Sequence, residues 1–161
     1  VNDLTLTTTE LETLLAEDAP HGDLTTCGLG IAARPAVMRF SARGDMVVAG
    51  IRVAEGLIRV AGGSARLAVD DGDRVAAGTE LLVATGTAGA LHLAWKQAQT
   101  VMEILSGIAG AASAVVAAAV APDGRRIPVA CTRKTLAGAR RLQIGAVRAG
   151  GAVAHRLGLS E

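Results

Sequence analysis

The sequence predicts an α/β protein: an N-terminal α+β sandwich domain over residues 1–90, then the first part of a parallel β/α barrel over residues 91–161. Three observations predict it. Short apolar runs punctuated by Gly- and Asp-containing turns dominate the first part, as strands do. A long apolar helical stretch follows. Then two short apolar runs, Ile127–Cys131 and Ala152–Ala154, flank a helical pattern, and ionisable side chains follow each run at once. In a β/α architecture the C-terminal ends of parallel strands lie side by side, which is where sites are built.

The elements follow in order. Thr7–Thr9 can cap a helix through Glu10–Ala16, with Glu10 and Glu12 in its first turn, and Pro20 and Gly22 end it. Asp18, His21 and Asp23 share the next loop. Their spacing allows a metal, but loop capping and turn hydrogen bonds are the commoner use, so the loop reads as structural or subunit-contacting. Ala36–Ala42 and Met46–Ala49 read as strands about the turn Arg43-Gly44-Asp45. Ile51–Ala61 has helical spacing and stops at Gly62-Gly63. Ala65–Val69 and Glu80–Ala84 are further strands. The segment between them, DDGDRVAAGTELL, is similar to the turn of biotinyl and lipoyl carrier domains. Those present a lysine there, and no lysine stands between Val1 and Trp95, so a plain β-sandwich turn remains.

Gly86–Gly89 reads as a hinge-like loop before a helix from Ala90 to about Ala121. Gly107 and Gly110 inside it would each cost about 1 kcal/mol against Ala, which points to close helix packing or a break. Pro122-Asp123-Gly124 is a turn, and Arg125-Arg126 a solvated edge. The strand Ile127–Cys131, a helix around Ala139–Arg148, the break at Gly150-Gly151 and the run Ala152–Ala154 complete the chain. A barrel domain needs ~200 residues or more. Far fewer follow Gly89, so the sequence is expected to be a piece of a longer protein.

Composition narrows the function. The only aromatic side chains are Phe40 and Trp95, which leaves no stacking platform for nucleic-acid bases. A net charge of +1 gives no global field for nucleic acid, so any anion site must be local. Cys27 and Cys131 lack metal-ligand spacing and read as buried thiols of a reducing, cytoplasmic compartment. The uncharged run Leu105–Pro122 is long enough to raise the question of a membrane. Its Ala, Gly and Ser content, and the charged segment it continues, favour a buried helix of a soluble protein.

Arg133, Lys134, His155 and Arg156 would converge at one end of the two barrel strands as an anion site. Of the 16 basic side chains, only Lys96 and Lys134 are lysines. A lysine kept in an arginine-favouring chain suggests a need for a compact ammonium, because the two cations are not interchangeable at a specific site.

Four collinear motifs carry a family resemblance: EDAPHGDLTT (Glu17–Thr26), LSGIAG (Leu105–Gly110), TRKT (Thr132–Thr135) and GGAVAHRLGLSE (Gly150–Glu161). Together they resemble the quinolinate phosphoribosyltransferase family, nearest its ModD-type, molybdenum-transport-associated branch. The resemblance implies transfer of phosphoribosyl from phosphoribosyl pyrophosphate to a pyridine dicarboxylate. Pyrophosphate and carbon dioxide leave, and nicotinate mononucleotide is formed for NAD biosynthesis. It implies magnesium, with ligands outside this chain, and a cytoplasmic homodimer binding neither nucleic acid nor membrane.

By the same resemblance Thr132, Arg133, His155 and Arg156 line the dicarboxylate pocket and Lys134 faces phosphoribosyl pyrophosphate. Lys134 and His155 stand as the catalytic positions, and Thr135 as a structural hydrogen bond. Trp95-Lys96 stands where the quinolinate enzymes resemble Glu-Arg, an arginine that reaches the substrate across the dimer interface. Lys96 keeps the charge and loses the fork. That departure leaves open the alternative of a ModD-type protein of molybdenum metabolism, with another anionic substrate or no transferase activity.

Overall fold

The structure, a computed structural model, describes residues 5–156. Its first helix, α1 (Thr8–Asp18), starts with a reciprocal cap: Glu10 N–H donates to the Thr7 hydroxyl (3.3 Å), and Thr7 N–H donates to the Glu10 carboxylate (2.8 Å). α2 (Leu24–Gly28) follows inside the loop expected to be irregular. It is held by Asp23, whose carboxylate accepts from Thr25 N–H and Thr26 N–H.

The sandwich is built on an antiparallel sheet of order β1-β5-β3, with β1 at Pro35–Ser41, β5 at Glu80–Thr87 and β3 at Ser64–Leu67. Along β1 the side chains alternate, with Ala36, Met38 and Phe40 turned inward and Val37 and Arg39 outward. A two-stranded ladder pairs β2 (Met46–Val47) with β4 (Arg74–Val75). β4 lies in the segment expected to be only a turn, and it is too short for an alternating pattern to reveal. α3 (Ile51–Val60) lays Ile51, Ala54, Leu57 and Ile58 against the sheet. Gly50 precedes it with φ 86°, where Asp71 accepts the Ile51 N–H at 2.9 Å.

α4 (Ala88–Ala118) serves both parts of the molecule. Leu91, Ala94, Ala98 and Met102 belong to the sandwich core, while Leu105 and Ala109 pack with Ala146 of α5 (Arg140–Ala149). This helix is long and apolar enough to cross a membrane, yet its inner face is built into these two clusters. No hinge loop precedes it. Gly86 and Thr87 finish β5, and the Thr87 hydroxyl caps α4 by accepting from Ala90 N–H. Gly86 is needed for close approach instead, since a Cβ there would stand 3.1 Å from the Gly63 Cα. Gly107 and Gly110 neither break α4 nor pack closely: a Cβ on either would meet nothing within 4 Å, because both border an open groove.

After α4, β6 (Ala130–Cys131) and β7 (Val153–Ala154) pair in parallel around α5, the start of a β/α barrel as expected. The thiols depart from expectation. Cys27 is exposed, because the short α2 turns it to solvent, and Cys131 is only partly covered at its strand end.

One contact ties the first helix to the barrel part. The Arg141 guanidinium donates to the Glu10 carboxylate and to the Thr5 carbonyl (3.1 Å). The Thr7 backbone N–H, then Arg141 and the Thr7 hydroxyl, hold the Glu10 carboxyl at about 2, below its ordinary 4.5. A depressed carboxyl stabilises the fold above its ordinary value and loses that effect as pH falls through the folded value. The stability gap between the parent and Glu10→Gln should therefore close as pH drops from above 4.5 to about 2. Urea unfolding across that range reads it; a gap constant with pH would refute the assignment.

Candidate functional site

The parallel pairing sets Cys131 opposite Ala154, so Thr132 and His155 are the first residues past the paired ends, on the same side. Sequence reasoning assigned the cations to this end, and the register puts the segments 132–135 and 155–156 there. The first segment is folded on itself. The Thr132 hydroxyl accepts from Lys134 N–H (3.2 Å), and the Arg133 carbonyl accepts from Thr135 N–H (3.0 Å). The Thr135 hydroxyl accepts from Arg140 Nε (3.4 Å), the structural role expected of it. The Gln143 side chain fixes the far side of the loop by accepting from Leu136 N–H (2.9 Å).

Arg133 is half-buried, and Lys134, His155 and Arg156 are exposed. None of the four side chains has a hydrogen-bond or ion-pair partner among the described residues. The closing LGLSE of the last motif lies outside them. Unpaired guanidinium and ammonium groups around a strand end suit carboxylate and phosphate ligands, whose own charge needs partners once it leaves water. Residues 124–160 contain no Asp or Glu. A magnesium ion takes oxygen donors, carboxylates first among them, so this stretch does not fit the ion. Among the described residues no group of three or more His, Cys, Asp or Glu is placed to hold a metal.

Lys96 lies elsewhere, on the third turn of α4, and no hydrogen bond or ion pair joins it to the strand-end residues. Its ammonium sits over the Trp95 ring, 5.2 Å from the centroid, a distance that gives cation–π attraction. Behind Trp95 stands His92, with ring centroids 6.2 Å apart, and His92 Nδ1 is 3.0 Å from the Asp23 carboxylate. Burial pulls the Asp23 carboxyl upward, but the Thr26 hydroxyl, the Thr26 and Thr25 amides and His92 together hold it below its ordinary value. A continuous chain of contacts thus runs from the HGD motif through His92 and Trp95 to Lys96. Sequence reasoning missed His92 as a member. Its spacing from Trp95 and Lys96, three and four residues, is the signal that one helix face carries all three.

Comparison with known proteins shows the family and the fold. Residues 23–106 match the N-terminal domain model of quinolinate phosphoribosyl transferase, and residues 108–161 match its C-terminal domain model. The chain is 44% identical over 153 residues to the ModD protein of Rhodobacter capsulatus, covering 95% of this chain and 59% of that one. To the carboxylating nicotinate-nucleotide pyrophosphorylase of Mycobacterium leprae it is 35% identical over 152 residues, covering 91% of this chain and 52% of that one. The fold superposes on the crystal structure of NadC from Streptococcus pyogenes with a TM-score of 0.87 at 29% identity, covering 98% of this chain and 57% of that one. The chain therefore spans little more than half the length of the relatives it matches.

Proposed function

The chain belongs to the quinolinate phosphoribosyl transferase family, and on that premise we propose that the full-length protein is a soluble, cytoplasmic phosphoribosyltransferase acting on a pyridine dicarboxylate. The observation that carries the reading is the parallel β6–β7 register, with Thr132–Lys134 and His155–Arg156 following its paired ends. In this reading Arg133 and Arg156 grip the carboxylates, the Arg133 fork fixing the ring plane by paired hydrogen bonds. Thr132 and His155 orient the same ring. Lys134 meets the phosphoribosyl pyrophosphate and offsets charge building on the departing pyrophosphate.

The ring nitrogen forms its bond to the anomeric carbon as the bond to pyrophosphate breaks, and alignment of the two reactants supplies much of the acceleration. Loss of the adjacent carboxylate as carbon dioxide leaves an electron pair on the ring carbon, which takes a proton from solvent. Incubating the full-length protein with quinolinate, phosphoribosyl pyrophosphate and magnesium tests the reading. Nicotinate mononucleotide is the expected product, and a folded protein that makes none would refute it.

Lys96 favours a second reading in which the preferred acceptor is a different anion, since an ammonium held over Trp95 does not reproduce the bidentate grip of a guanidinium. In a homodimer Lys96 would enter the partner's site. If the lysine sets the preference, Lys96→Arg should raise kcat/KM for quinolinate by roughly tenfold, about 1.4 kcal/mol. Unchanged or lower turnover would show that position 96 does not choose the substrate.

A further inference from the structure

The Lys96 ammonium is braced from behind by a stack of side chains. Lys96 is exposed, and a lysine on a helix surface ordinarily swings freely on its four-carbon stem. Here its ammonium lies 5.2 Å from the Trp95 centroid. The Trp95 ring meets the His92 ring at a tilt of 47°, with centroids 6.2 Å apart. His92 Nδ1 in turn stands 3.0 Å from Asp23 Oδ1. Asp23 is the fixed end. Its side chain is 8% exposed, and the carboxylate also accepts from Thr25 N–H (3.0 Å), Thr26 N–H (3.3 Å) and the Thr26 hydroxyl.

The bond to Asp23 decides what His92 can do. The Asp23 carboxyl is held below its ordinary value, so it is ionised at neutral pH and accepts, and the proton of the shared bond sits on Nδ1. An imidazole tied at Nδ1 cannot turn freely, and its ring backs the indole. Composition sets this indole apart. Trp95 is the one Trp of the chain, and Lys96 is the one lysine before Lys134. A Trp that served only to fill the core would be buried. Trp95 is half-buried, lines an open groove and carries a cation over its ring.

We propose that His92, anchored on Asp23, is a positioning residue for Lys96: it holds the indole against which the ammonium is set before an anionic substrate arrives. The role rests on the reading of Lys96 as a contact to the anionic acceptor. A braced ammonium has lost its freedom in advance, so binding does not bear that ordering cost. An ammonium also meets a carboxylate as a point charge. A set position restores part of the direction that a guanidinium fork carries in itself. Selectivity at position 96 then comes from the brace as well as from the cation.

The test uses the full-length protein with its lysines dimethylated with carbon-13, which keeps their charge. The Lys96 resonance is assigned by its loss in Lys96→Arg, and the indole beneath should displace it upfield. His92→Leu should return it to the position of a free lysine. His92→Asn, whose amide N–H can still donate to Asp23, should keep it displaced. The His92 side chain is 39% exposed, so neither substitution opens the core. Titration calorimetry with quinolinate reads the consequence. His92→Leu should raise Kd about fivefold and His92→Asn by less than about twofold, and in a Lys96→Ala background His92→Leu should add nothing. A Lys96 resonance still displaced in His92→Leu would overturn the proposal, as would an undiminished loss on top of Lys96→Ala. If the parent binds no quinolinate, the resonances still decide. Displaced in the parent and in His92→Asn but not in His92→Leu, they uphold the brace and remove only the acceptor reading.

Discussion

Arg133→Ala in the full-length protein should reduce affinity for a pyridine dicarboxylate by at least a hundredfold, with the thermal melt nearly unchanged. The two halves of this expectation come from one observation: the Arg133 side chain has no hydrogen-bond or ion-pair partner among the described residues, so its removal breaks no contact of the fold. The loss falls on the ligand. A carboxylate drawn from water without its partner costs about 3 kcal/mol or more, and every 1.4 kcal/mol is tenfold in affinity. Titration calorimetry on parent and variant measures the first half and differential scanning calorimetry the second. A large fall in melting temperature would make Arg133 architectural and move the anion site elsewhere.

Gly150→Ala is the corresponding experiment on the fold. A Cβ at Gly150 would stand 2.4 Å from the Ala109 carbonyl oxygen, 2.7 Å from the Ala112 Cβ and 3.0 Å from the Ser113 nitrogen. The backbone there has φ −72°, so the barrier is steric and not conformational. Two of the three obstacles are backbone atoms of α4 and cannot swing away. The end of α5 must therefore move off α4, which should cost about 2–3 kcal/mol, the upper part of the usual range for overpacking. Gly56→Ala provides the contrast: its Cβ would meet only the tip of Leu11, at 2.9 Å, which can rotate aside. Urea midpoints for the two variants should separate clearly, and equal midpoints would show that α5 shifts without loss.

Much of this architecture was readable from the residues because it rests on local patterns. Thr7 and Glu10 announce the first cap, the spacing of Ile51, Ala54, Leu57 and Ile58 announces α3, and the cations after two apolar runs announce the strand ends. What escaped depends on partners distant in the chain. β4 exists because Met46 and Val47 offer it a ladder, and Cys27 is exposed because Asp23 winds a short helix beneath it. The pairing of His92 with Asp23 spans 69 residues, and no local period encodes it. Gly107 and Gly110 misled for the opposite reason: close packing or a break was expected at them, and α4 shows neither.

The sharing of α4 has a consequence for biogenesis. Leu91, Ala94, Ala98 and Met102 fill a core whose other buried members, from Leu11 to Ala84, all precede them in the chain. As the nascent polypeptide emerges, the N-terminal layers lack their central plug until about four turns of α4 have been synthesised. Until then α3 covers the apolar face of the sheet only in part, the interval in which a chaperone would have most to hold.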